Sequence, residues 1–109
     1  MLDYERRVDD EVEVRWRVED NGAFMHARGD RPLSEKRRFD AAQLERLRAA
    51  IDDADLAGLA PAAAPDDAAI EERWSAGGTT YVVYDDEPDA IRDLRKLVDQ
   101  CVADSRVSG

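Results

Sequence analysis

Histidine, cysteine and lysine are nearly missing from this chain. His26 is the single histidine, Cys101 the single cysteine, and Lys36 and Lys96 the two lysines among 109 residues. One cysteine leaves no internal disulfide. One histidine and one cysteine also fall short of a zinc ligand set and of a Ser-His-Asp or Cys-His catalytic group. No run approaches the ~20 apolar residues that a membrane-spanning helix needs. The first ten residues are charged before any apolar run begins, which speaks against a secretory leader. These absences lead us to expect a cytoplasmic protein that is not an enzyme and has no metal, no cofactor and no membrane association.

Acidic side chains are abundant. Twenty-six acids face sixteen bases, a net charge of −10. A field of that sign repels phosphate backbones and anionic lipid, so direct binding of nucleic acid is not expected. It suits a cationic protein partner, or a solvated surface. The Asp surplus with scarce lysine is also the composition of a salt-adapted protein. The apolar share, 43%, is enough for a core. At this length one domain is expected.

Periodicity places the elements. Val12, Val14, Trp16 and Val18 alternate with Glu13, Arg15, Arg17 and Glu19, as in a half-buried strand. Asn21-Gly22 then signals a hairpin into Ala23–Arg28. A two-residue turn would pair Val18 with Met25. A three-residue loop with Gly22 left-handed in a bulge would pair Val18 with Phe24 and bury Phe24. The second register is favoured because it puts the larger apolar side chain inside. Residues 28–36 read as irregular, and Arg37-Arg38-Phe39 as a short third strand. Asp40 and Gln43 form the two ends of a capping box, and Leu44, Leu47 and Ile51 share one helical face. Gly58 and Pro61 end that helix near Asp55. Residues 61–67 read as a surface loop.

Ile70–Ser75 and Thr79–Tyr84 form a second hairpin turning at Ala76-Gly77-Gly78. Asp85-Asp86-Glu87-Pro88-Asp89 opens a last helix, its acids at the positive end of the dipole and Pro88 at the first helical position. Ile91, Leu94, Val98, Cys101 and Val102 line one face. The expected fold is α+β: an antiparallel sheet of four or five strands with two helices packed on one face, in the order ββ(β)αββα. Residues 1–10 are expected to be a charged N-terminal arm, 11–104 a single domain and 105–109 a frayed end. Arg15-Trp16 and Arg73-Trp74 hint at a duplicated ββα unit.

Few residues suggest a site. His26 lies mid-strand, and Cys101 on an apolar stripe where an inert thiol is expected. The run 85–89 lacks the glycine and ligand spacing of a calcium loop. Arg28-Gly29-Asp30 spells an adhesion tripeptide that recurs by chance. The segment 28–38 stands apart. It carries Arg28, Arg31, Lys36, Arg37 and Arg38 against Asp30 and Glu35, a net +3 that leaves −13 for the rest. Such polarity can steer a partner or a second copy of the chain.

The element order, with Gly22-Ala23-Phe24 at the first turn, Arg37-Arg38-Phe39-Asp40 entering a helix, the exit Ala54–Leu59 and the helix start Glu87–Leu94, resembles emfourin. Emfourin is the small protein inhibitor of protealysin and related thermolysin-type metallopeptidases. The resemblance implies a binding module that inhibits a peptidase by presenting a loop. The expected partner-binding residues are Asn21, Gly22, Ala23, Phe24, Arg28, Arg31, Arg37 and Arg38, with Phe24 as anchor if exposed. The expected partner is another protein, with the chain itself a monomer or weak homodimer. The alternatives are an acidic decoy that mimics nucleic acid, with clusters at 9–13, 52–55, 66–72 and 85–89, or an accessory protein of a salt-adapted cytoplasm.

Overall fold

A computed structural model describes residues 1–60, 69–84 and 87–107. The sequence elements expected at 61–67 and at Asp85-Asp86 lie outside the described residues. The described residues form one antiparallel sheet, two α-helices and a short 3-10 turn at Leu56–Gly58. The strands are β1 (Leu2–Val8), β2 (Glu11–Val18), β3 (Ala23–Arg28), β4 (Ser34–Arg38), β5 (Ile70–Ala76), β6 (Thr79–Val83) and a two-residue β7 (Arg106–Val107). Their order across the sheet is β6-β5-β1-β2-β3-β4-β7. Helices α1 (Ala41–Ala54) and α2 (Asp89–Asp104) bury their apolar stripes, Leu44 and Leu47 on α1 and Ile91, Leu94, Val98 and Cys101 on α2, in one core with the sheet. No helix among the described residues is long and apolar enough to cross a membrane.

The α+β class and the two helices agree with the sequence reading, but the sheet is larger than four or five strands. The main addition is β1. Residues 1–10, expected to be a charged arm, supply a strand inside the sheet, paired with β2 on one side and β5 on the other. Its apolar alternation is short. Leu2 and Tyr4 point into the core while Asp3 and Glu5 point away, so the charges mask the pattern. Asp9 and Asp10 close the turn into β2 with positive φ (51° and 66°), a conformation that short polar side chains tolerate better than others. Two further corrections are smaller. β4 starts at Ser34, inside the stretch read as irregular, and residues 106–107 pair with β4 rather than fray.

Local signals hold elsewhere. Val18 pairs with Phe24 and Trp16 with His26. In this turn Gly22 alone has positive φ (96°), and Glu19 N–H bonds Ala23 C=O at 2.9 Å. This is the bulged register. Gly22 is also fixed by tertiary packing, because a Cβ there would stand 2.4 Å from the Phe39 carbonyl oxygen. Both halves of the Asp40–Gln43 capping box form, at 2.8 and 2.9 Å. The second hairpin turns on Gly77 and Gly78, both left-handed. Pro88 caps α2 from outside instead of occupying its first turn.

The two Arg-Trp pairs now have a structural meaning. Trp16 and Trp74 flank Tyr4 from opposite sides of β1, with ring centroids 5.0 and 4.9 Å away. On the other face Arg15 and Arg73 flank Glu5 in the same way. Trp74 is fully buried, Trp16 half-buried, and Phe24 and Phe39 extend the aromatic row. The face away from the helices is laced with charge. Arg17 pairs with Asp3, Arg7 with Glu5 at 2.9 Å, Arg73 with Glu71 at 2.7 Å, and Arg38 with Glu35. Opposite charges along a strand, and across strands for Arg17 and Asp3, let an uncovered sheet face meet water without an apolar patch.

Candidate functional site

Two clusters of polar side chains stand out, and they differ in how their charges are met. The first lies between β1, β5 and α2. The Tyr4 hydroxyl donates to Glu72 Oε2, and Arg95 Nη2 donates to the same oxygen at 2.7 Å. Arg95 Nε donates to Glu87 Oε1 at 2.8 Å, and its guanidinium lies over the Trp74 ring, 5.2 Å from the centroid. Burial, then the Glu72 carboxylate, push the Tyr4 hydroxyl well above its ordinary pKa. Burial opposes the Arg95 charge, but hydrogen bonds to Glu72 and Glu87 outweigh it and hold the guanidinium more firmly charged than usual. The Tyr4 hydroxyl, Glu72, Glu87 and Arg95 each already have a partner. The cluster fastens α2 to the sheet, and its charged groups are spent on one another.

The second cluster is the β3–β4 hairpin. Its loop is tied down from outside. Gly29 N–H bonds Glu13 C=O at 2.9 Å, and Arg15 Nη2 donates to Arg31 C=O at 2.7 Å. Within this frame the hairpin sorts its charges. Asp30 lies in a separate cleft with Glu5, Glu11 and Arg15. Glu35 faces the open side of the sheet, where Arg38 takes it. Arg28, Arg31 and Lys36 instead line another cleft, of about 330 Å³, with His26, Ala27, Pro32 and Ser34. His26 and Ser34 are register partners there. The net positive charge read along the segment therefore becomes a directional one. Among the described residues, no ion pair involves Arg28, Arg31, Lys36 or Arg37. Burial, then the charges of Arg28 and Lys36, push the His26 imidazole below its ordinary pKa.

The partner-binding residues expected from sequence are divided by this geometry. Gly22, Ala23 and Phe24 are buried, so they present no contact surface, and Phe24 cannot act as an anchor. Phe24 is 6% exposed because the bulged register turns it onto Trp16 and Phe39. Asn21 stays exposed, and its carbonyl accepts from Arg38 Nη1 at 3.4 Å. Arg28 and Arg31 sit at the opposite end of β3, about 17 Å along the strand. Arg37 lies on the helix side of β4 with Phe24. His26, Ser34 and Lys36 were not singled out as binding residues. Ser34 and Lys36 lay in the stretch read as irregular, and only the pairing of β3 with β4 brings them beside His26 and Arg28.

Cys101 is buried, and burial raises its thiol pKa, which leaves it unreactive. Among the described residues no group of three or more His, Cys, Asp or Glu is placed to hold a metal ion. Several acids of the expected clusters are engaged internally: Glu13 with Arg6, Glu71 with Arg73, and Glu72 and Glu87 with Arg95. Asp9, Asp10, Asp52, Asp53 and Asp55 remain exposed. No family model, curated protein or solved structure matches the chain, and the likeness to emfourin gains nothing from these comparisons.

Proposed function

We propose that this chain is a small protein-binding module that acts by contact rather than catalysis, and that the cationic β3–β4 hairpin is its contact surface. One observation carries the reading: four cations of a single hairpin, Arg28, Arg31, Lys36 and Arg37, have no ion pair among the described residues, while the hairpin's own Glu35 is taken by Arg38. Arginines free of partners cost a protein little at its surface and become useful when a carboxylate or phosphate meets their planar fork. A strongly negative molecule with one positive hairpin also orients an approaching partner before contact. The fitting partner is a protein with an acidic segment.

A thermolysin-type metallopeptidase is the specific partner suggested by the emfourin resemblance. In this structure Asn21 and Arg38 join the first turn to the cationic strip, so a peptidase would be met by the turn tip and β4, not by Phe24. A nucleic-acid mimic is less well supported, because Glu13, Glu71, Glu72 and Glu87 are spent on internal pairs.

The test compares wild type with an Arg28→Gln/Arg31→Gln/Arg37→Gln variant in partner capture from the native cell, with quantitative proteomics. Proteins retained by wild type and lost by the variant, with capture that weakens as salt rises, are expected. Equal capture by the two proteins overturns the surface assignment. A parallel inhibition assay against thermolysin-type enzymes addresses the peptidase partner, and no inhibition at micromolar concentration removes it.

A further inference from the structure

We propose that the β3–β4 cleft is a seat for one phosphate group, with Arg28, Arg31 and Lys36 as its cationic walls and Ser34 and His26 as hydrogen-bonding groups. This deepens the partner-binding reading and rests on it for the choice of surface.

The charge sorting carries the argument. The hairpin contains two acids, and the fold sends each of them elsewhere. Asp30 goes to the cleft beside Glu11, and Glu35 goes to Arg38. Three cations therefore converge on a cleft of about 330 Å³ with no carboxylate among its lining residues. Neither helix contributes to the lining, so the cleft belongs to one hairpin and stays open to solvent. A monoanionic carboxylate would compensate a single cation. A phosphate dianion offers about two charges and three acceptor oxygens, enough to engage arginine, lysine and hydroxyl donors at once. The overall charge of −10 argues against an extended polyanion. A compact anion is different. Beyond about 8 Å distant charges are screened at physiological salt, and the cleft cations dominate.

His26 links the site to pH. It faces Arg28 on its own strand, Trp16 across β2, and Ser34 on β4, with Lys36 and Arg31 beside it. Burial, and then the cations Arg28 and Lys36, disfavour the protonated imidazole in the free protein. A bound dianion reverses the local sign and draws a proton onto the ring. Binding of the dianion therefore raises the His26 pKa.

Because His26 is the only histidine, its ring protons give one unambiguous NMR signal in the full-length protein. The experiment titrates inorganic phosphate at constant ionic strength, with chloride as the reference salt. Saturable shifts of His26 and of the amides of residues 28–36 are expected, with the His26 midpoint moving up by about half a unit or more. Arg28→Gln/Lys36→Gln, two exposed changes that leave the spectrum dispersed, should weaken binding by roughly tenfold or more. No saturable shift at about 10 mM phosphate, or undiminished binding by the variant, overturns the proposal. A phosphoserine peptide that binds at least about tenfold tighter than inorganic phosphate identifies a modified partner side chain as the source, and equal affinity identifies a free phosphate compound. A glutamate-rich peptide that shifts Arg37 and Arg38 while phosphate shifts nothing would sink the seat and leave the partner-binding reading standing.

Discussion

Arg95 and Arg28 are the same residue type on the same protein, and they live under opposite rules. Arg95 is gripped by Glu72 and Glu87 and roofs Trp74. Arg28 stands in a cleft with two other cations and no carboxylate. The first arrangement joins residues far apart in the chain, since Tyr4 and Glu72 are 68 positions apart. The second comes from a single hairpin. The contrast separates charge used to hold the fold from charge left available for a partner. A buried ion pair adds little over apolar packing, but removing one member exposes the cost of the other. An unpaired surface arginine has no such dependence.

The comparison makes ordered predictions. Trp74→Ala opens the centre of the covered face, where the ring is 0% exposed, and should cost about 3–5 kcal/mol. Chemical denaturation would show this as a collapse of the midpoint, and Trp74→Phe should recover much of it. Arg95→Met comes next, leaving Glu72 and Glu87 unpaired. Because the Arg95 side chain is 33% exposed, a loss of about 2–3 kcal/mol is expected instead of the full cost of a buried break. A loss below ~0.5 kcal/mol would mean that the cluster does not fasten α2. Gly22→Ala forces a Cβ against the Phe39 carbonyl at positive φ, and should cost at least ~1 kcal/mol in the same assay.

On the cationic side the expected stability effects are small. Arg28→Gln/Arg31→Gln/Lys36→Gln should change the unfolding free energy by no more than ~0.5 kcal/mol, while abolishing anion binding. A large destabilisation would erase the distinction between the two regions. The smallest effect belongs to His26. Its folded pKa lies below the unfolded value of 6.5, so the unfolded state binds more protons in the window just beneath pH 6.5. Stability should fall as pH drops through that window, and His26→Gln should flatten this part of the profile. Equal pH profiles for the two proteins would show that the His26 pKa is not lowered in the fold.

Much of the local structure was legible in the residues. Asn21-Gly22, with Phe24 placed to be buried, set the first register, because a one-residue slip would have turned Phe24 to solvent. Asp40 and Gln43 announced the start of α1, and the α2 stripe marked its buried face. The candidate site was half visible. The excess of base in 28–38 was plain from sequence, yet three of the eight expected contact residues offer no contact surface. Gly22, Ala23 and Phe24 went into the core, while Arg37 stays half-exposed on the Phe24 face of β4. Lys36, already counted in the basic segment, joined Arg28 and Arg31, and His26 and Ser34 joined them without having been expected there.

What the sequence determined by itself is whatever depends on residues within one turn or one hairpin: strand alternation, turn type, helix caps and the net charge of a segment. These follow from backbone preferences and from which side chains shun water, and both act over a few residues. Only the tertiary structure decided that β1 would enter between β5 and β2, that two tryptophans would close on Tyr4, and that Arg95 would be spent while Arg28 stayed free. Those outcomes depend on which distant strands pair. Pairing brings together side chains whose separation in the chain carries no periodic signal, and it sorts each charge to one face of the sheet or the other.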